Sequence, residues 1–497
     1  MTENLLEDRR TGWVLAAIIV VLFALANLPW QLDDYDQAKQ AFTSFEMVKE
    51  GHWFYQHTPH ERVATKPPLV GWISAALFAV TRSWEIAWRL PSLVAAFALA
   101  VVLFRAAKEG YGKVAAVIAL SAFGLNLLSP RLATLARTDM PLALVIFLIG
   151  LLIWQKIRGR DEWKLRDQVY IFVLLTAAML IKGPIVYAFL LPGIVLNAVT
   201  VALWGTRAPG TARRLQVWSG WWPWLASLAI FLIWLAGGIW FQPGFYEEVV
   251  MREFVGRFGE TIHRPQPLPF YLPHLLHKFA PWSVLMVAIA LFDLRSRNWQ
   301  LRFLLREMSP ETFWLLCWGI GGLIVMSLIP SKRVDRIFPV IPPLCLLLAV
   351  QIAMRNSCSH GPAGRSSRLG VSNEELGMIA LALAIVFTGG YTVWKVITGY
   401  RDHRDALAIF GRNVRHEAEA HHWPYEVVSA KDEGLLLYLQ KIRFIEPQRA
   451  VIEWNNGNLD ALVASADKAR MLTPKLRDAV LDESKQARAT EYVLIRR

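Results

Sequence analysis

The sequence predicts a polytopic α-helical membrane protein with a C-terminal soluble α/β domain. Three observations carry this expectation. Of 497 residues, 55% are hydrophobic, and mean hydropathy is +0.33. Apolar runs of 17–23 residues recur as far as about residue 397. A run of that length crosses a hydrocarbon core about 30 Å thick, where a helix satisfies its own backbone groups. After about residue 398 the pattern changes to short amphipathic segments with strand character.

The apolar runs lie at 13–30, 86–106, 113–129, 139–157, 169–182, 184–203, 219–241, 279–293, 312–329, 338–354 and 376–397. The first follows Arg9 and Arg10 in the manner of a signal peptide. No small-residue cleavage site follows it, so a retained helix is expected. A shorter run, 69–80, is bounded by KPP and TRSWEIAWR and reads as an interfacial or re-entrant helix. The loops then sort by charge. With the N-terminus inside, RAAKEGYGK (105–113), QKIRGRDEWKLRD (155–167), WGTRAPGTARRLQ (204–216), DLRSRNWQLRFLLRE (293–307) and RNSCSHGPAGRSSRLG (355–370) are all cytoplasmic and basic, as the positive-inside rule requires. That distribution accounts for the net charge of +13 without a nucleic-acid partner. Cys317, Cys345 and Cys358 fall in two apolar runs and one basic loop, which argues against a disulfide framework.

The first outer loop, 31–85, contains TSFEMVKEGHWF. This segment reads as an amphipathic helix on the membrane, with Phe42, Phe45 and Met47 or Val48 towards lipid. The transmembrane unit is expected to span 1–397 and the outer α/β domain 398–497. In that domain RDHRDALAIFGRNVRHEAEAHHWP reads as a helix and LDALVASADKARML as a second. YEVVSA, IRFIE, AVIEW and EYVLIRR read as strands.

The candidate functional residues are ionisable groups at the outer helix ends, where charge is costly and marks sites or pathways. Asp33, Asp34 and Asp36 follow the first apolar run; any of them can also cap the next helix. Lys66-Pro67-Pro68 places a cation on a stiff turn, suited to a phosphate as a point charge, although a snorkelling lysine has the same look. Asp139 opens an apolar run, with Pro141 close behind and Arg137 as a ready partner. Lys182 breaks an apolar run at its outer end. His263 and Arg264 sit before the aromatic, proline-rich stretch 265–282 and suit an anion. Lys332, Arg333 and Arg336 lie on the outer side, against the charge rule, and an anionic headgroup or phosphate would explain them. His52, His57, His60 and His263 match no helical metal-ligand spacing, so ordinary histidines are expected; a divalent metal is left open and no other cofactor is called for.

The ordered set Asp36-Gln37, FEMVKEGHW, TKPPLVGW, ARTDMPL, RPQPLPFYLPHLLHKFAPW and SKRVDRIFPVIPPL resembles the lipid-phosphate-sugar-dependent glycosyltransferases of the GT-C superfamily. These are the protein O-mannosyltransferases and the lipid A aminoarabinose transferases. The resemblance implies a GT-C fold of about 11 to 13 spans, a polyprenyl-phosphate sugar donor, and a lipid A, other lipid or glycan acceptor. It also implies action at the periplasmic face of a bacterial inner membrane. Asp36 then aligns with the catalytic aspartate of the first loop, Asp139 with the second acidic position and Lys66 with the lysine beside the donor phosphate. Lys332, Arg333 and Arg336 would join Lys66 there, with Lys182, His263 and Arg264 as further acceptor or phosphate contacts. Three positions depart from the family: Gln37 stands where Glu is common, Thr65 where the aminoarabinose transferases have Glu, and Arg336 or Ile337 where their Lys-to-Pro stretch has a tyrosine. A lipid phosphate leaves as a stable anion, so no general acid is needed: one base, with Asp36 orienting or deprotonating the acceptor, and a cationic clamp suffice, and inversion is expected. The competing classes are a protein O-mannosyltransferase, a transporter or lipid flippase, and a non-catalytic scaffold. A transporter would carry charges within its spans and inverted repeats; here the charges gather at one face.

Overall fold

A computed structural model describes residues 8–32, 35–204, 217–257, 265–301, 305, 308–359, 373–430, 432–482 and 491–497. Each expected apolar run is helical. The first helix, Arg9–Leu25, is capped by the Asp8 side chain, which accepts from the backbone of Arg10. By length and composition, seven helices among the described residues can cross a membrane. An eighth candidate is the pair Leu268–Lys278 and Trp282–Ser296, bent by 106°. This is fewer than the eleven expected spans, for physical reasons. The first helix stops at Leu25, ahead of Pro29, and is short. Leu165–Lys182 opens with Arg166 and Asp167, which dilute its apolar face. Runs 86–106 and 113–129 join as one helix, Leu90–Gly124, interrupted at Gly112 (φ +88°).

That interruption is a reversal. Phe97 and Phe123 both pack on Phe23, with ring centroids 5.9 and 6.1 Å away, whereas 26 residues of unbroken helix would separate them by about 39 Å. The backbone of Gly112 occupies the left-handed region that glycine alone enters freely, and the two arms run side by side. The 13-residue helix Leu69–Thr81 is too short to span, in keeping with an interfacial or re-entrant position.

The bundle has two chemically distinct ends. Asp139–Gly159 and Leu165–Lys182 form a hairpin. At its open end Lys182 Nζ lies 2.5 Å from Asp139 Oδ1, and at its closed end Lys156 Nζ lies 2.6 Å from Asp167 Oδ2. Arg158 donates to the carbonyls of Glu109 and Gly110, both at 3.2 Å. The basic loops 105–113 and 155–167 therefore meet at the end away from Asp139.

Downstream of the helix Ala406–His421, four strands pair in the order β1-β2-β4-β3. They are β1 (Tyr425–Val427), β2 (Ala461–Ser465), β3 (Val480–Asp482) and β4 (Tyr492–Arg496). β1 and β2 are parallel, and β4 is antiparallel to both β2 and β3. Three expectations fail here. AVIEW is not a strand but part of the helix Pro447–Asn455, in which Ala450 and Trp454 are buried and Ile452 is exposed. That spacing of four is helical, and Pro447 opens the first turn. ALVAS, read as the start of a helix, is β2. Lying between β1 and β4, it is buried on both faces and shows no alternation. IRFIE contributes only the isolated bridge between Ile445 and Val428.

The first outer loop also differs from expectation. Phe42, Phe45 and Met47 are buried rather than lipid-facing; Val48 is exposed. Phe42 and Phe45 share a core with Trp84 and Trp88 and with Leu435, Leu436 and Tyr438 of the C-terminal region. The helix Tyr35–Glu50 thus uses its apolar face to dock the α/β unit, and Tyr438 Oη accepts from the backbone N–H of Leu32 at 3.0 Å.

Helices Ile185–Trp204 and Pro310–Leu328 meet backbone to backbone through glycines. A Cβ on Gly321 would stand 2.5 Å from the nitrogen of Gly193. Gly321→Val is expected to cost at least about 1–3 kcal/mol through forced separation, seen as a lower thermal midpoint in detergent. Gly389→Ala, where nothing lies within 4 Å, should leave that midpoint unchanged.

Candidate active site at the acidic rim

The site grows from the breaks that end the helices. Asp36 lies in the first turn of Tyr35–Glu50, directly after the apolar helix that ends at Leu25. Asp139 opens its own helix, and Lys182 ends the neighbouring one. Arg333 precedes the short 3-10 turn Val334–Val340, after the Pro310–Leu328 helix has ended. Lys66 sits on the turn leading into Leu69–Thr81.

These groups converge. Asp36 Oδ2 accepts from Arg137 Nη2 at 2.8 Å and from Arg333 Nη1. Arg137, 4% exposed, reaches with its other Nη to Asp335 Oδ2, so one guanidinium bridges two carboxylates. Arg131 approaches the far oxygen of Asp335 at 3.3 Å. Asp139 is buried against Lys182. Burial works to raise the Asp36 pKa, but the charges of Lys66, Arg333 and Arg137 outweigh it and hold the carboxyl below its usual value. Burial pushes the Lys66 amine down to about 8, opposed by Asp36 and reinforced by Lys182. Both aspartates act on Lys66 electrostatically, so the two acidic positions share one cation.

Not every expected residue joins this cluster. Lys332 is buried and donates to the carbonyl of Gln266 at 2.8 Å, where it ties down the proline-rich segment. Arg336 donates to the carbonyl of Ser331 at 2.8 Å. His263, Arg264, Asp33 and Asp34 lie outside the described residues. At Thr65, where the aminoarabinose transferases have Glu, the hydroxyl meets Lys39 Nζ at 3.4 Å; a hydroxyl beside an ammonium is a poor metal ligand. Gln37, another departure, is buried and accepts from the backbone N–H of Ala136 at 3.3 Å, anchoring Asp36 beside Arg137.

Sequence reasoning missed the pairing of Arg137, the role of Asp335 and the burial of Glu433. Arg137 pairs with Asp36 and Asp335, not simply with nearby Asp139. Asp335 was hidden among the cations of SKRVDR. Glu433 comes from the C-terminal region; it is buried, with a carboxyl pushed up to about 7 by burial despite the charge of Lys39. The odd aspartate in a basic run was the available signal for Asp335; nothing in EGLLLYL marks Glu433.

Next to this cluster is a cavity of about 530 Å³ lined in part by Gln37, Arg89, Arg131, Tyr391, Lys395 and Arg404. One of its cations, Arg131, connects to Asp36 through Asp335 and Arg137. What assembles at this rim is a carboxylate ringed by cations beside a basic, water-accessible hollow. Such an arrangement binds phosphate and stabilises developing negative charge.

Comparison with known proteins gives the chain's relatives. A family model described as dolichyl-phosphate-mannose-protein mannosyltransferase matches residues 65–240. An undecaprenyl phosphate-alpha-4-amino-4-deoxy-L-arabinose arabinosyl transferase of Pseudomonas savastanoi is 25% identical over 397 residues, covering 74% of this chain and 69% of its own length. A Proteus mirabilis protein of the same description is 24% identical over 358 residues, and the chain spans only 59% of its length. The crystal structure of ArnT from Cupriavidus metallidurans bound to undecaprenyl phosphate superposes with a TM-score of 0.70 at 18% identity, covering 98% of both chains. With its many apolar helices the chain is a multi-pass membrane protein, similar in sequence to these arabinosyl transferases and sharing the fold of ArnT.

Proposed function

We propose that the chain transfers a sugar from a polyprenyl phosphate to a phosphorylated lipid, lipid A or a related glycolipid, at the periplasmic face of a bacterial inner membrane. The observation that carries this reading is the charge balance of the rim. Lys66, Arg131, Arg137, Lys182 and Arg333 face Asp36, Asp139 and Asp335. Five cations against three carboxylates leave a surplus that a phosphate would neutralise. Names of the relatives support a polyprenyl-phosphate sugar as donor. The bundle's basic far end supports a cytoplasmic assignment for that end. We infer further that residues 1–397 form the membrane unit and 398–497 an outer α/β unit.

In this reading Lys66 and Arg333 hold the donor phosphate. The bond from the anomeric carbon to phosphate oxygen breaks as an acceptor oxygen attacks from the opposite side, with inversion. The departing phosphate leaves as an anion stabilised by these cations and needs no proton. Asp36, clamped by two guanidiniums and depressed in pKa, is a weak base. It is better suited to orienting its arginines and the acceptor than to deprotonating a hydroxyl. That favours an acceptor that is already ionised, such as a lipid phosphate, over a protein hydroxyl. The basic cavity beside Gln37 and Arg131 has the charge to receive it. Asp139 and Lys182 brace the same rim.

Purified protein given a radiolabelled polyprenyl-phosphate sugar and lipid A should form labelled product, while Asp36→Asn should lower the rate by about 10²-fold or more. No transfer by wild type, or an unaffected variant, would remove this assignment. Lys66 offers a pH test: its cation is present below about 8 and lost above it. Donor KM is therefore expected to climb as pH passes that value. Lys66→Arg, charged throughout, should hold KM flat to about pH 9.5. The arginines should separate cleanly. Arg137→Ala leaves the buried Asp335 only its half-exposed partner Arg131 and is expected to destabilise the fold by about 1–3 kcal/mol. Arg333→Ala should leave thermal stability near wild type and raise donor KM about tenfold.

A further inference from the structure

Away from the rim cluster, the C-terminal half of the helix Tyr35–Glu50 carries a second arrangement. Among the described residues, one group of three metal-type side chains converges: Glu46, His52 and His57, whose donor atoms all lie within 4.8 Å of one another. Glu46 is 2% exposed; the two histidine side chains are 40% and 27% exposed. His52 Nδ1 is hydrogen-bonded to Glu46 Oε1, and His57 Nδ1 approaches the same oxygen at 3.5 Å. The rings stand edge to face, 4.8 Å apart.

Protons alone satisfy this group badly. One imidazole N–H serves Glu46 Oε1. Glu46 Oε2 and His57 Nδ1 remain buried without a well-formed hydrogen bond, His57 having only the 3.5 Å approach to Glu46 Oε1, and such atoms are costly to leave unpaired. The surrounding loop is already set. Gln56 Nε2 bonds the carbonyls of His52 and Trp53 at 3.1 and 3.0 Å, and His57 forms a β-bridge with Val63. The three donors are therefore aimed at one point by the fold itself.

We propose that Glu46, His52 and His57 form a binding site for a divalent transition-metal ion, zinc in the first instance. Two imidazole nitrogens and a carboxylate are a zinc donor set, and the partly exposed histidines leave a fourth position for water. Magnesium and calcium prefer all-oxygen shells. The ion would neutralise the buried carboxylate and occupy both orphaned atoms. It would also rivet the loop carrying His52, His57 and Lys66 to the helix carrying Asp36 and Glu46. The role is structural, and it stands or falls independently of the transfer reaction.

Full-length protein in detergent, stripped with chelator and dialysed against trace zinc, is expected to retain about one zinc per chain by mass spectrometry. Its thermal midpoint should rise on zinc addition. Glu46→Gln and His57→Gln should each weaken zinc binding about tenfold or more. His60→Gln, whose ring packs on Phe444 instead, should bind as wild type. If the variants fail to fold, cobalt substitution of wild type gives a second reading: visible absorption of a four-coordinate centre is expected. Substoichiometric zinc in wild type, equal retention in Glu46→Gln, or a featureless cobalt spectrum would overturn the proposal.

Discussion

One guanidinium holds the charged rim together. Arg137 is almost fully buried and binds Asp36 with one arm and Asp335 with the other. A buried charge is tolerated only when paired and hydrogen-bonded. Arg137 therefore fixes two segments some 300 residues apart, the loop after the first helix and the turn after the Pro310–Leu328 helix. Arg333 lands on Asp36 because Asp335, two residues on, is pinned by the same arginine. Remove that bridge and neither the carboxylate nor its cations have a defined place.

The rest of the site follows from helix ends. Ionisable groups at membrane depth must reach water or each other. Where helices stop at a common level, their terminal charges become neighbours, as Asp139 and Lys182 do. The outcome is a positive rim. The transfer proposed above would ask for little beyond this, since the leaving group is already anionic and the main task is to hold charge in place.

Much of this was legible from the residues. The helical runs and their basic loops follow from hydropathy and charge, and Asp36, Lys66, Asp139, Lys182 and Arg333 stood out as charges at apolar boundaries. What escaped was partnership. Lys332 and Arg333 are adjacent and chemically alike, yet one turns to the carbonyl of Gln266 and the other to Asp36; only tertiary geometry separates them. Phe42 and Phe45 read as lipid-facing because amphipathicity shows that a face is buried, not what buries it. ALVAS and AVIEW exchanged roles for a related reason: a strand buried on both faces loses its alternation, and a short helix shows too few turns to reveal its period.

The core shared by Phe42, Phe45, Leu435, Leu436 and Tyr438 limits how such enzymes can be recombined. The C-terminal unit is no detachable accessory, because its hydrophobic seat is the back of the helix whose first turn presents Asp36. A chimera that trades C-terminal regions between homologues inherits a mismatched seat unless residues 35–50 travel with the graft. In evolutionary terms the two stretches form one module split across the length of the gene, and their substitutions should drift in concert.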